Sequence, residues 1–343
     1  MINLHRSMRL LLPFLTAVVL GAVDNTRLEL EPARSAPAKG KHVVLLSGDE
    51  EYRSEEALPM LAKILSQRHG FKTTVLFALD ADGTINPTQV QSLPGADALD
   101  TADVIIMSLR FRAWPDEAMK HFDAAHRRGV PIIALRTSTH AFNFPAGSPW
   151  SNYTWNNKTT HPGGFGRQVL GETWVAHWGK HKVEATRGVL EPAATTDALF
   201  NSVTELFGTT DVYEAAPPAD AKILARGLVL QGMRPTDAPA TYRKTTAAKI
   251  EQAVNAPAMP IVWTRNYLTS SGASAKIFTT TLGAATDFEQ ESLRRLIVNA
   301  TYWAAELAVP AKADVTPFDN YAPRPYGFAG YRTGLTPADH ALG

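Results

Sequence analysis

The chain of 343 residues has no cysteine. That excludes disulfides, thiolate metal sites and any cysteine nucleophile. A surplus charge is missing too. Lys and Arg number 34 against 33 Asp and Glu, a net charge of +1. No broad field therefore draws the chain to nucleic acid or to an acidic membrane. Repeats, heptads and low-complexity tracts are absent. The apolar run at 10–23 is short of the roughly 20 residues a spanning helix needs. Basic His5, Arg6 and Arg9 precede it and Gly21-Ala22 ends it. This reads as a secretory signal peptide over 1–23, or an anchor if uncleaved. The expected location is periplasmic or secreted, with membrane contact only through an uncleaved N-terminus. Residues 24–41, ending in EPARSAPAKGK, read as a linker.

What is there is a hydrophobic content of 45%, enough for a large core. HVVLLSG (42–48), FKTTVLFAL (71–79), DVIIMSL (103–109) and VPIIAL (130–135) are continuous, β-branched runs. Helical patterns separate them, with a short helix expected over 86–93. Such alternation predicts a doubly wound, mostly parallel α/β sheet in a single domain over 42–309. Later strands are expected over 182–189, 221–230, 259–267 and 275–282, and a helix over 289–307. The tail, 310–343, is rich in Pro, Gly and Tyr and reads as an extended segment on the domain surface.

Right-handed crossovers put the carboxyl ends of parallel strands on one rim, where open α/β sheets bind ligands. Three polar segments meet there. In GDEEYRSEE, Glu50, Glu51 and Arg53 suit ligand binding or acid/base work, while Glu55 and Glu56 suit a helix start. RFRAWP brings Arg110 and Arg112. RTSTHAFNF brings Arg136, Thr137, Ser138, Thr139, His140 and Asn143. A planar guanidinium suits carboxylate or hydroxyl recognition, and His140 suits a general base. A nucleophilic serine is not favoured, because G-x-S-x-G is missing. Farther on, HWGKH places His177 and His181 four apart, beside Trp178. This suits a metal pair, or a sugar with its ring stacked and its hydroxyls bonded. FTTTLGAATDF reads as a tight turn capped by Thr286 or Asp287.

These pieces together resemble the ThuA-like (trehalose-utilisation) family, with a flavodoxin-like, class I glutamine-amidotransferase-like fold. The matching stretches are HVVLLSGDEEYRSEEALPMLAKIL, PIIALRTSTHAF, GGFGRQVLGETWVAHWG, PIVWTRNY, AKIFTTTLGAATDF and RRLIVNATYWAAEL, spanning about 42–308. The resemblance implies carbohydrate metabolism on a sugar or keto-sugar. By position, Arg136 and Ala284 stand where many members have His, which argues against a metal site of the family type. The amidotransferase nucleophile is a cysteine, so that chemistry is excluded here.

The expectation is acid/base chemistry (isomerisation, elimination or hydrolysis) on a small carbohydrate. His140 or Glu51 is the expected base and Arg136 the expected stabiliser of developing negative charge. Substrate contacts are expected from Glu50, Arg53, Arg110, Arg112, Thr137, Ser138, Thr139, Asn143, His177 and Trp178. A non-catalytic carbohydrate-binding module is the rival. A zinc-dependent hydrolase is a second rival, with His140, His177 and His181 as candidate ligands. No cofactor is assigned, and a homo-oligomer stays open.

Overall fold

The computed structural model describes residues 25–33, 37–38 and 40–342. The signal-peptide reading of 1–23 lies outside the described residues. Among those described, no helix is long and apolar enough to cross a membrane.

Ten strands form one sheet: β1 (Arg27–Leu30), β2 (His42–Gly48), β3 (Lys72–Phe77), β4 (Val104–Leu109), β5 (Ile132–Leu135), β6 (Thr186–Leu190), β7 (Leu206–Gly208), β8 (Lys222–Val229), β11 (Met259–Leu268) and β12 (Ser274–Thr280). A separate hairpin joins β9 (Arg243–Thr245) to β10 (Glu251–Ala253). The spatial order is β1-β3-β2-β4-β5-β12-β11-β8-β6-β7. The centre, β3-β2-β4-β5-β12, is parallel. Beyond β12 each neighbour is antiparallel.

Strand alternation feeds two cores. Val43 and Leu45 face one layer with α1 (Ser54–His69) and α3 (Glu291–Ala304). Val44 and Leu46 face the other with α2 (Asp116–Arg127). Both faces of β2 are covered, which is why its sequence is continuously apolar rather than alternating. Gly70 ends α1 at φ 75°, a left-handed conformation that favours glycine.

Three expectations change. Part of the expected linker is an edge strand: RLEL pairs antiparallel with β3, burying Leu28 and Leu30 on alternate positions. No helix forms over 86–93, and a 3-10 turn at Ala96–Thr101 follows instead. The Asn86 side chain folds a turn at the start of that segment, its Oδ1 accepting the Thr88 N–H at 3.0 Å and the Thr88 hydroxyl at 2.6 Å. The strand expected at 182–189 begins at Thr186.

Candidate functional site

The parallel strands deliver Gly48, Leu109, Leu135 and Thr280 to one rim. The loop after β2 folds around Asp49, whose Oδ1 accepts the backbone N–H groups of Glu51 (2.8 Å) and Tyr52 (3.0 Å). Its Oδ2 accepts the Thr137 hydroxyl, tying this loop to the one after β5. The second loop turns at Arg136, which sits at φ 36° and starts the 3-10 turn Arg136–His140. A non-glycine residue there is strained, and such strain collects at functional sites.

The centre of the rim is Asp211, between β7 and β8. Its carboxylate is wholly buried and holds three cationic or imidazole partners. His177 Nδ1 lies 2.8 Å from Oδ2, His181 Nδ1 lies 3.0 Å from Oδ1, and Arg136 Nη2 lies 3.0 Å from Oδ1. Burial pushes the Asp211 carboxyl up. The hydrogen bonds from His177 and His181 and the Arg136 charge outweigh it and hold the group well below the usual carboxylate range. Asp211 is thus a carboxylate at neutral pH. In a neutral imidazole whose Nδ1–H donates to it, Nε2 is the acceptor nitrogen and faces away from the carboxylate. The His177 side chain is 36% exposed and His181 26%, so both can meet a ligand. His181 Nε2 lies 3.2 Å from Glu51 Oε1. Burial first, then the Asp49 charge, raise the Glu51 carboxyl above the usual range against the pull of Arg110 and His181.

Arg136 was expected to face substrate. It does not, because its side chain is 0% exposed and both terminal nitrogens are committed. Nη1 donates to the carbonyls of Asp211 (3.0 Å) and Thr281 (2.8 Å), and Nη2 also donates to the Tyr52 hydroxyl at 3.1 Å. The guanidinium lies between the rings of Tyr52 and Tyr213, 4.4 and 4.1 Å from their centroids. It fixes and charge-balances Asp211.

His140 is also corrected as the base. Its ring is buried against Phe111, Trp174 and Tyr213, with Nδ1 3.2 Å from the Thr139 hydroxyl. Burial, and then the Arg110 and Arg136 charges, drive its pKa well below the ordinary value, leaving a weak base.

Other expected contacts divide by burial. Trp178 is in the core, its indole N–H donating to the Val254 carbonyl at 2.8 Å, so it does not face a ligand. Its neighbour Trp174 does stand at the rim, 5.9 Å from the His177 ring, with Trp155 and Phe111 continuing the aromatic wall. Thr137, Ser138 and Thr139 are buried, and Ser138 donates to the Met107 carbonyl. Arg112 is buried and donates to Glu50 Oε2 at 2.6 Å and to the Pro87 carbonyl at 2.9 Å. Glu50 thereby grips both Arg112 and Arg110. Arg53 is buried and bonds tail carbonyls instead of a ligand. Asn143 is exposed. Asp287 accepts the backbone N–H groups of Gly283 (3.0 Å), Ala284 (3.2 Å) and Thr210 (3.1 Å), so FTTTLGAATDF is a capped turn.

The residues brought together are Glu51, Arg110, His177 and His181, framed by Trp174 and Tyr326. Asp211, Trp174 and Tyr326 were not anticipated. Asp211 lies in TTDVYE, a short polar stretch between strands that carries no motif.

No family model and no curated protein matches the chain. The chain is similar in fold to two solved structures, both provisionally named ThuA-like proteins. The one from Parabacteroides merdae ATCC 43184 has 12% identity and a TM-score of 0.49, covering 79% of this chain and 92% of that one. The one from Bacteroides uniformis ATCC 8492 has 15% identity and a TM-score of 0.47, covering 79% and 93%. At this identity the likeness reaches no further than the fold.

Proposed function

We propose that the protein binds a keto-sugar at the carboxyl rim and moves a proton between neighbouring carbons there, with His177 as the base. The observation that carries this reading is the His177–Asp211 pair at 2.8 Å, with the imidazole at the surface and the carboxylate wholly buried. Asp211 orients the ring and stabilises the imidazolium that forms when Nε2 takes a proton. Trp174 offers a flat apolar wall beside it, suited to the C–H face of a sugar ring, with hydroxyls left to Arg110 and His181.

A C–H next to a carbonyl supplies the proton. His177 Nε2 takes it as Glu51, its carboxyl raised by burial, protonates the carbonyl oxygen. The product is an enediol. His177 then returns its proton to the adjacent carbon, while the hydroxyl on the other carbon gives its proton back to Glu51. The net result is an aldose–ketose exchange with no external reactant.

The test is deuterium wash-in. The protein is incubated in D2O with D-fructose, lactulose or maltulose, and proton NMR follows the carbons beside the carbonyl. Wild type incorporates deuterium at one carbon. His177→Ala and Asp211→Asn slow this at least about a hundredfold, the low end for removing a positioned acid or base. Equal rates in wild type and His177→Ala would discard the base assignment.

A second reading rests on a different observation. Ligand atoms of His177, His181 and Asp211 lie within 4.8 Å of one another. Two imidazoles and a carboxylate suit zinc with an open position. Against it, Asp211 is already bonded to Arg136, whose positive charge opposes a cation. Elemental analysis of purified protein decides this: near one equivalent of zinc favours the metal, and under about a tenth removes it.

A further inference from the structure

The C-terminal tail crosses the rim and is fastened there. Gly327 N–H donates to the Glu51 carbonyl at 2.7 Å. The buried Arg53 guanidinium donates to the carbonyls of Gly327 and Ala329, on either side of Phe328. Arg324 N–H donates to Glu56 Oε2 at 2.9 Å, and the Arg324 side chain closes the loop on the Gly330 carbonyl at 3.0 Å. Tyr326 lies 5.1 Å from the Tyr52 ring and 5.7 Å from His181, its hydroxyl donating to the Thr209 carbonyl at 3.1 Å. The strap is therefore part of the site's wall.

Phe328 is the unusual member. Its backbone neighbours are clamped, yet the residue is 59% exposed. One face meets the Arg110 guanidinium, 4.9 Å from the ring centroid, and Phe111 covers that guanidinium at 4.5 Å. Arg110 in turn lies 3.6 Å from Glu51, and Glu51 lies 3.2 Å from His181. Phe328 is thus joined to the histidines through two intervening side chains. No direct ring contact joins Phe328 to His177 or His181 among the described residues, so the platform lies one layer out from the histidines. A clamped aromatic with one face packed and the rest open loses little conformational entropy on binding.

We propose that Phe328 is the platform of an outer subsite, which stacks the second ring of a disaccharide whose first ring lies at His177. The proposal rests on the keto-sugar reading above and narrows its substrate class to a keto-disaccharide. Charged or nucleotide ligands are disfavoured, because Arg110 is already paired with Glu50 and Glu51.

The test compares equilibrium binding of D-fructose with that of lactulose and maltulose, by calorimetric titration of wild type, Phe328→Ala and Phe328→Trp. Aromatic pairs gain about 0.5–1.5 kcal/mol from stacking, and a sugar C–H face on Phe328 is taken to gain as much, a factor of roughly two to twelve in affinity. Phe328→Ala should lower the ratio of disaccharide to D-fructose affinity by that factor, and Phe328→Trp should keep or raise it. An unchanged ratio in Phe328→Ala overturns the subsite and leaves the keto-sugar reading intact. So does a wild type that binds D-fructose but neither disaccharide. A wild type that binds none of the three sugars overturns both.

Discussion

Neutralising Asp211 should cost far more stability than an ordinary polar substitution. Asp211 and Arg136 have side chains at 0% exposure and meet at 3.0 Å. Asp211→Asn removes the only carboxylate hydrogen-bonded to Arg136 among the described residues and leaves the guanidinium charged inside the protein. It also swaps one acceptor oxygen for an NH2. Either the Arg136 and His181 side or the His177 side then has donor facing donor. Removing one partner of a buried pair costs about 3–5 kcal/mol, mostly for the charge left behind. Arg136→Met should cost a similar amount, since it strips Asp211 of its guanidinium while two imidazoles remain. The double variant removes both charges. It should be more stable than the sum of the two effects predicts, by about 2–3 kcal/mol, the upper range for coupled neighbours. Urea unfolding followed by tryptophan fluorescence, with 7 tryptophans as probes, gives all four corners of the cycle. A cost under about 1 kcal/mol for Asp211→Asn would refute the buried-charge argument. Additivity within about 0.5 kcal/mol would refute the coupling.

Two further outcomes concern pH. Glu55 is fully buried with no hydrogen-bond partner on either oxygen, and faces Arg53 at 3.8 Å together with Glu56 and Asp49. Burial raises its carboxyl from 4.5 to about 8. A raised acid stabilises the fold fully below its unfolded value, and that stabilisation is lost as pH climbs toward 8, at up to about 1.4 kcal/mol per pH unit. Glu55→Gln should therefore gain stability over wild type at pH 8 more than at pH 5, and an equal difference at both would sink the assignment. His126 stacks on Tyr267 with its Nδ1 unbonded, and burial lowers its pKa from 6.5 to about 4. Its contribution is present above pH 6.5 and lost as pH falls through 4, about 3 kcal/mol in all. Acid unfolding of His126→Phe should begin at lower pH than in wild type, and an unchanged midpoint would contradict this.

The parallel half of the sheet was readable because burial on both faces leaves strands such as VVLL and VIIM unbroken. The rim followed, since parallel strands must end together, and that pointed to Glu51 and Arg110, whereas His177 and His181 were singled out by the spacing in HWGKH. The antiparallel half was harder. Strands β6, β7 and β8 carry mixed patterns that do not name their partners, and RLEL resembles a linker until β3 is beside it. Side-chain direction was the main loss. Trp174 and Trp178 are four apart in an irregular loop, so no periodicity tells which one faces outward. Arg136 and His140 look like ideal rim groups, yet the turn at φ 36° sends both inward. Asp211 meets Arg136 across 75 residues, and no local pattern signals a contact that distant.

The most direct measurement is the tautomer of His177, read by nitrogen-15 NMR of the imidazole side chains near pH 7.5. The neutral ring should carry its proton on Nδ1, held by Asp211, with Nε2 free, and that preference should be lost in Asp211→Asn. A proton on Nε2 in the wild type, or no change on replacing Asp211, would contradict it.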